Sequence, residues 1–168
     1  MSGEILLVGL AGVLASAGPI VFAAVGEAIT ERAGITNLSM NGLILLSAMG
    51  SFAATLATGS IALGILAGAA IGAAVSAIVA LSSITLKQSQ VAVGFILAML
   101  CRDLSYFLGN PIMGQPGPRL VQAPLPYLKD IPIAGPLLFR QDLMTYMSYL
   151  LVILAWLYMN KTRPGLVL

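Results

Sequence analysis

The sequence predicts an all-α protein, a polytopic transmembrane helix bundle of about five spans with a Pro-rich outer loop. Three observations carry that prediction. Of 168 residues, 59% are hydrophobic and only 8% charged, where a soluble domain carries about 25% charged residues. The mean hydropathy is +1.00. The apolar residues fall into long runs, and seven of the nine prolines crowd into Gly109 to Asp142. On this pattern residues 1–168 form a single transmembrane domain, and 109–142 is its extracytoplasmic loop.

The first run, Ile5 to Gly26, would be about 33 Å long as a helix, enough for a hydrocarbon core of about 30 Å. The chain opens Met-Ser-Gly-Glu with no cationic segment ahead of this run, so the run is expected to stay as an anchor. Gly18-Pro19 is expected to kink it. Glu27 and Glu31 follow, four apart, and share a face if the helix continues.

The second run, Ile35 to Thr58, is polar at first (Thr36, Asn37, Ser39, Asn41) and apolar from Leu43. A polar group left in hydrocarbon costs several kcal/mol, so two readings stand. One is a cytoplasmic loop ending in a short tilted helix. The other is a discontinuous helix whose amides and freed backbone groups face a cavity.

After a short Thr58-Gly59-Ser60 turn, the third run extends from Ile61 to Leu86. Ser60, Gly64, Gly68, Gly72 and Ser76 recur every four residues. They form a small-residue stripe along one helix face, which allows close helix approach in lipid. Lys87 to Gln90 reads as a surface loop. The fourth run, Val91 to Leu108, contains Arg102 and Asp103. As neighbours they point in different directions, so they are expected to pair poorly and to snorkel to water near the helix end.

Prolines exclude regular helix or central strand from 109–142, and its apolar residues suggest packing on the bundle. The fifth run, Leu143 to Met159, has Tyr146, Tyr149, Trp156 and Tyr158 toward its ends, where aromatics favour the interface. Five spans put Arg32, Lys87, Lys161 and Arg163 on one side and Arg119, Lys129 and Arg140 on the other. That is a slight cationic excess on the cytoplasmic side, with the N-terminus outside.

Several functions are excluded by residue type. There is no histidine, hence no imidazole metal site and no histidine-based catalysis, and the single Cys101 permits no internal disulfide. A net charge of +2 with no basic run gives no footing for nucleic acid. No metal, cofactor or catalytic residue is expected. Glu27 and Glu31 could in principle exchange protons, but charges at a helix end beside Arg32 are the simpler account. No Gly precedes Lys87, Lys129 or Lys161, so the phosphate-binding loop of an ATPase is missing.

The stretch Gly26 to Phe52, GEAITERAGITNLSMNGLILLSAMGSF, resembles a signature of the membrane subunits of ABC importers for nucleosides and simple sugars, within the branched-chain amino acid and ribose permease family. The residues that carry it are Gly26, Glu27, Glu31, Arg32, Gly34, Asn37, Leu38 and Gly42. Asp130-Ile131-Pro132 through Gly135-Pro136-Leu137-Leu138-Phe139 is similar to the family's outer-loop segment. Thr162-Arg163-Pro164-Gly165-Leu166 is similar to the segment leading into its ATPase-docking helix. Ala98 stands where the family commonly has an asparagine, a few residues after the glycine that here is Gly94.

The resemblance implies a multi-pass protein of the bacterial plasma (inner) membrane, the permease subunit of an ATP-driven importer working by alternating access. Its implied partners are the lipid bilayer, an ATP-binding subunit, a second permease subunit and an extracytoplasmic substrate-binding protein. It favours the discontinuous-helix reading. It makes Asn37, Ser39, Asn41 and Glu27 the expected solute pathway, and Thr162, Arg163 and Gly165 the ATPase-coupling side; Gly64, Gly68 and Gly72 remain helix-packing residues. A nucleoside suits neutral donors and acceptors such as asparagine. Since the family continues past Leu168, the sequence is expected to be the N-terminal part of a longer permease. The competing expectation is a non-transporting membrane scaffold or an inactive permease fragment.

Overall fold

The structure, a computed structural model, describes residues 2–118 and 135–167. The helices are α1 (Ser2–Arg32), α2 (Met40–Thr58), α3 (Ile61–Ile84), α4 (Gln90–Gly109), α5 (Leu143–Lys161) and the short α6 (Arg163–Val167). A 3-10 turn, Asn110–Ile112, extends α4, and a π-helical turn, Gly135–Phe139, precedes α5. No strand occurs among the described residues. Five helices are long and apolar enough to cross a membrane, and the chain is a multi-pass membrane protein. The middle of the Pro-rich segment, with Asp130-Ile131-Pro132, lies outside the described residues.

The packing follows membrane rather than aqueous rules. Large apolar side chains such as Ile5, Val8, Leu66 and Phe107 are exposed. Many of the buried positions are small or hydroxylated, among them Gly42, Gly64, Gly68, Thr55, Ser105, Thr145 and Ser148. Lipid is as apolar as leucine, so helices gain by close approach rather than by hiding hydrocarbon.

The described helices belong to two compact units. In the unit of residues 34–119, α2 packs against both α3 and α4. Gly59, at φ +68, ends α2 and donates its N–H to the Thr55 carbonyl at 2.8 Å. A side chain would resist that left-handed backbone. Ser60 then caps α3, so the two helices form a tight hairpin. The small-residue stripe of α3 faces α2. A Cβ on Gly64 would strike Thr55 Oγ1 and come 2.7 Å from the Ser51 carbonyl oxygen, and one on Gly68 would lie 3.1 Å from the Ser47 carbonyl oxygen. At Gly72 the clearance relaxes to 3.6 Å. Leu46, Val75, Val79, Leu97 and Cys101 fill the core beside these contacts.

In the other unit, α1 packs against α5 and the π-helical turn. The helix α1 runs through Pro19 and on past Gly26 to Arg32, so Glu27 and Glu31 are helical and share a face. Gln141 is buried, and its side-chain amide donates to the carbonyls of Leu137 at 2.7 Å and Ala11 at 3.2 Å. Asp142 caps α5, accepting from the Thr145 N–H at 2.8 Å and hydroxyl at 2.9 Å. Asp142→Ala is expected to lower stability by about 1–2 kcal/mol, the usual cost of a lost cap. Thermal unfolding of the detergent-purified protein measures it.

Candidate solute-path segment

The segment joining α1 to α2 is held by α4. Gly34, at φ +79, terminates α1. The Thr36 N–H then donates to the Gln90 side-chain carbonyl at 3.1 Å. Leu38 lies on Gly94, where a Cβ would come 3.0 Å from its backbone nitrogen. At Gly42 an added Cβ would strike the Ala98 carbonyl oxygen and come 2.8 Å from two further Ala98 backbone atoms. Further along, Ser105 Oγ donates to the Leu45 carbonyl at 3.0 Å, and Met49 lies against Gly109.

These contacts advance together, so α2 and α4 run parallel and staggered. The first helical residue of α2, Met40, lies level with α4 between Gly94 and Ala98. That is about 9 Å past the start of α4 at 1.5 Å per residue. Residues 36–39 are therefore non-helical backbone alongside the first turns of a spanning helix. Instead of a helical piece broken in the middle, the sequence between Gly34 and Ser39 forms a turn that enters one continuous helix. Glycine at positions 42 and 94 lets this turn press directly on α4.

Asn37 organises the turn. Its Oδ1 accepts from the backbone N–H of Ser39 at 3.0 Å and from the Ser39 hydroxyl, an Asx turn. Ser39 is fully buried and Asn37 half-buried. Asn41, in the first turn of α2, is exposed and lines an open groove with Gly42, Leu45, Phe95, Ala98, Met99 and Arg102. Glu27 is half-buried, and its Oε2 is shielded without a hydrogen-bond partner among the described residues. The structure thus brings Asn37, Ser39 and Asn41 into one segment.

Arg102 and Asp103 depart from expectation. They pair, Nε to Oδ1 at 3.1 Å, with both side chains at least half exposed. Their Cα–Cβ vectors diverge, but free rotamers on an open helix face let the side chains meet. By length and composition the stretch able to cross a membrane runs from Gln90 to Ile112, with about 15 Å of it beyond Arg102 and about 18 Å before it.

Between α5 and α6, Thr162 builds a corner. Its N–H and hydroxyl both donate to the Tyr158 carbonyl, the hydroxyl at 2.7 Å, and Oγ1 accepts from the Gly165 N–H at 3.2 Å. Gly165 is buried where a Cβ would overlap the Tyr158 carbonyl, while Arg163 is exposed. The residues that sequence reasoning missed are Gln90, which fastens the turn, and Gln141. For the first unit, the Gly94–Ala98 spacing was the available signal, a small pair one helical turn apart on the face that receives Leu38 and Gly42.

A family profile described as "Branched-chain amino acid transport system / permease component" matches residues 9–168. The chain is 34% identical to the glucose ABC transporter permease protein TsgC13 of Haloferax volcanii, a provisional designation, over 88% of this chain and 46% of that protein. It is 31% identical to the nucleoside ABC transporter permease protein NupC of Lactococcus lactis, over 94% of this chain and 53% of that one. It is 28% identical to the guanosine ABC transporter permease protein NupQ of Bacillus subtilis, over 97% and 55%. The chain thus spans about half the length of these relatives. No solved structure matches it.

Proposed function

Because the chain belongs to the family of permease components of branched-chain amino acid transport systems, we propose that it supplies part of the solute path of an ATP-driven importer for nucleosides. The single observation that carries this reading is the Asn37–Asn41 turn beside the first turns of α4. Irregular backbone at membrane depth is tolerated only where protein buries it or where it borders a wet cavity. Here protein buries Ser39 while Asn41 stays open. Asn41 is the lining residue, and Asn37 and Ser39 are positioning residues that hold the backbone beneath it. Two relatives named for nucleoside and guanosine transport support the solute class.

ATP is hydrolysed by a separate subunit, in keeping with a family of permease components. A second permease subunit completes the pore, a substrate-binding protein delivers solute outside, and the assembly sits in a bacterial plasma membrane. The Thr162–Gly165 corner turns the chain at the cytoplasmic end of α5, where a docking helix for the ATPase would begin. One ground for a scaffold, the small-residue stripe Gly64–Gly68–Gly72 as a face for foreign helices, is taken up by α2 of this same chain.

The test is cysteine accessibility in the complete transporter, on a Cys101→Ala background. Asn41→Cys is expected to react with a membrane-impermeant thiol reagent and to be protected by nucleoside. Ser39→Cys is expected to stay unreactive. A cysteine at position 41 that no aqueous reagent reaches, from either side of the membrane, removes the basis of the reading.

A further inference from the structure

We infer that the groove between α2 and α4 is a recognition subsite for a 6-oxopurine nucleoside, with Arg102 reading the acceptor edge of the base and Phe95 receiving its ring. This rests on the permease reading above and extends it to residues outside the Asn37–Asn41 turn. Three observations converge on it.

The first is depth. Arg102 stands near the middle of Gln90–Ile112, a stretch long and apolar enough to cross a membrane. Ionisable side chains there are costly against lipid and are found facing bundle interiors or water-filled paths. Arg102 and Asp103 are at least half exposed within this chain, so this face looks toward a wet path.

The second is arrangement. Phe95, Met99 and Arg102 follow one another at helical spacing along one face of α4, opposite Asn41 and Leu45 of α2, and together they border a groove of about 250 Å³. One wall is flat and apolar, since Phe95 is 59% exposed. The two ends are an amide and a guanidinium.

The third is chemistry. Only Nε of Arg102 is engaged by Asp103, and the terminal nitrogens have no partner among the described residues. They offer donors in a planar fork that matches two adjacent acceptors. The O6 and N7 atoms of guanine present such a pair, whereas adenine puts a donor at the same place and meets the fork donor to donor. The ring faces are apolar and stack on aromatic side chains. Asp103 keeps the pair net neutral, which suits a neutral nucleoside and gives no excess positive charge for a nucleotide.

The experiment is guanosine uptake by the complete transporter in proteoliposomes, with unlabelled nucleosides as competitors. For the unaltered protein, inosine should compete about as well as guanosine. Adenosine and 7-deazaguanosine, which lacks the N7 acceptor, should each compete about tenfold less well, the lower range for a lost bidentate contact. The double variant R102Q/D103N removes both charges without leaving either unpaired. It is expected to raise the KM for guanosine about tenfold and to abolish the preference over adenosine. Competition by 7-deazaguanosine equal to that by guanosine overturns the inference without any variant having to fold. A double variant that keeps the guanosine KM and the purine preference overturns it too, yet leaves nucleoside transport standing. Absence of any nucleoside uptake, with position 41 unlabelled, sinks the transport reading and this inference together.

Discussion

Gly42→Ala is expected to prevent α2 from seating on α4 and to remove folded protein from the membrane. The added carbon would overlap the Ala98 carbonyl and lie 2.8 Å from the Ala98 Cα. Those are backbone atoms inside a helix, so no rotamer change can make room. Overpacking costs about 1–3 kcal/mol where side chains can shift, and here the cost lies at or beyond the top of that range. The same contact sets the stagger of α2 against α4, so the Thr36–Ser39 turn would lose its seat as well. Internal controls exist. Gly72→Ala meets ordinary contact at 3.6 Å, and Gly9→Ala meets nothing within 4 Å. Yield and thermal unfolding in detergent should fall steeply for Gly42→Ala, while Gly72→Ala and Gly9→Ala stay close to the parent. Equal stability of all three would mean that the helices do not approach as described.

The second large effect is expected at Asn37. Removing its amide in Asn37→Ala strips the acceptor from the N–H and hydroxyl of Ser39, a residue with 0% exposure. Each buried donor left unsatisfied costs about 1–3 kcal/mol, so for the two a loss of about 2–6 kcal/mol is expected in unfolding measurements. Asn37→Asp separates structure from transport. The carboxylate keeps an acceptor at the same place and should hold the turn, but it gives up the amide donors and adds a charge beside the path. Under the proposed function its stability should stay near the parent while nucleoside uptake by the complete transporter falls. If Asn37→Ala unfolds like the parent, the Asx turn is not what holds this segment.

The fold was largely legible because lipid imposes a simple length rule. Five apolar runs became five long helices, and the α3 glycine stripe lies against a helix as its spacing implied. Helix ends were less legible. Glu27, Ala28, Glu31 and Arg32 are good helix formers, so α1 outran its hydrophobic stretch, and α2 began only where Asn37 and Ser39 stopped competing for backbone groups. What sequence could not give was depth. The level of Asn41 and of Arg102 along their neighbours depends on which glycines touch which carbonyls, a tertiary matter that hydropathy does not record. The Arg102–Asp103 pairing was missed for a related reason, since helical spacing fixes Cβ directions and leaves long side chains free to bend together.

The make-up of the two units has a consequence for biosynthesis. Residues 34–119 supply α2, α3 and α4 in unbroken succession, so their contacts can close as each helix follows the last, with little loop entropy to overcome. The other unit pairs α1 with α5, across the whole of residues 34–119. During translation α1 must therefore wait, its Gly18 and Ala11 surfaces without their native partners, until Gln141 and Thr145 have been synthesised. The α2–α4 unit can close before the α1–α5 unit does, and a ribosome stalled inside the Pro-rich segment would leave α1 as the exposed, degradable part.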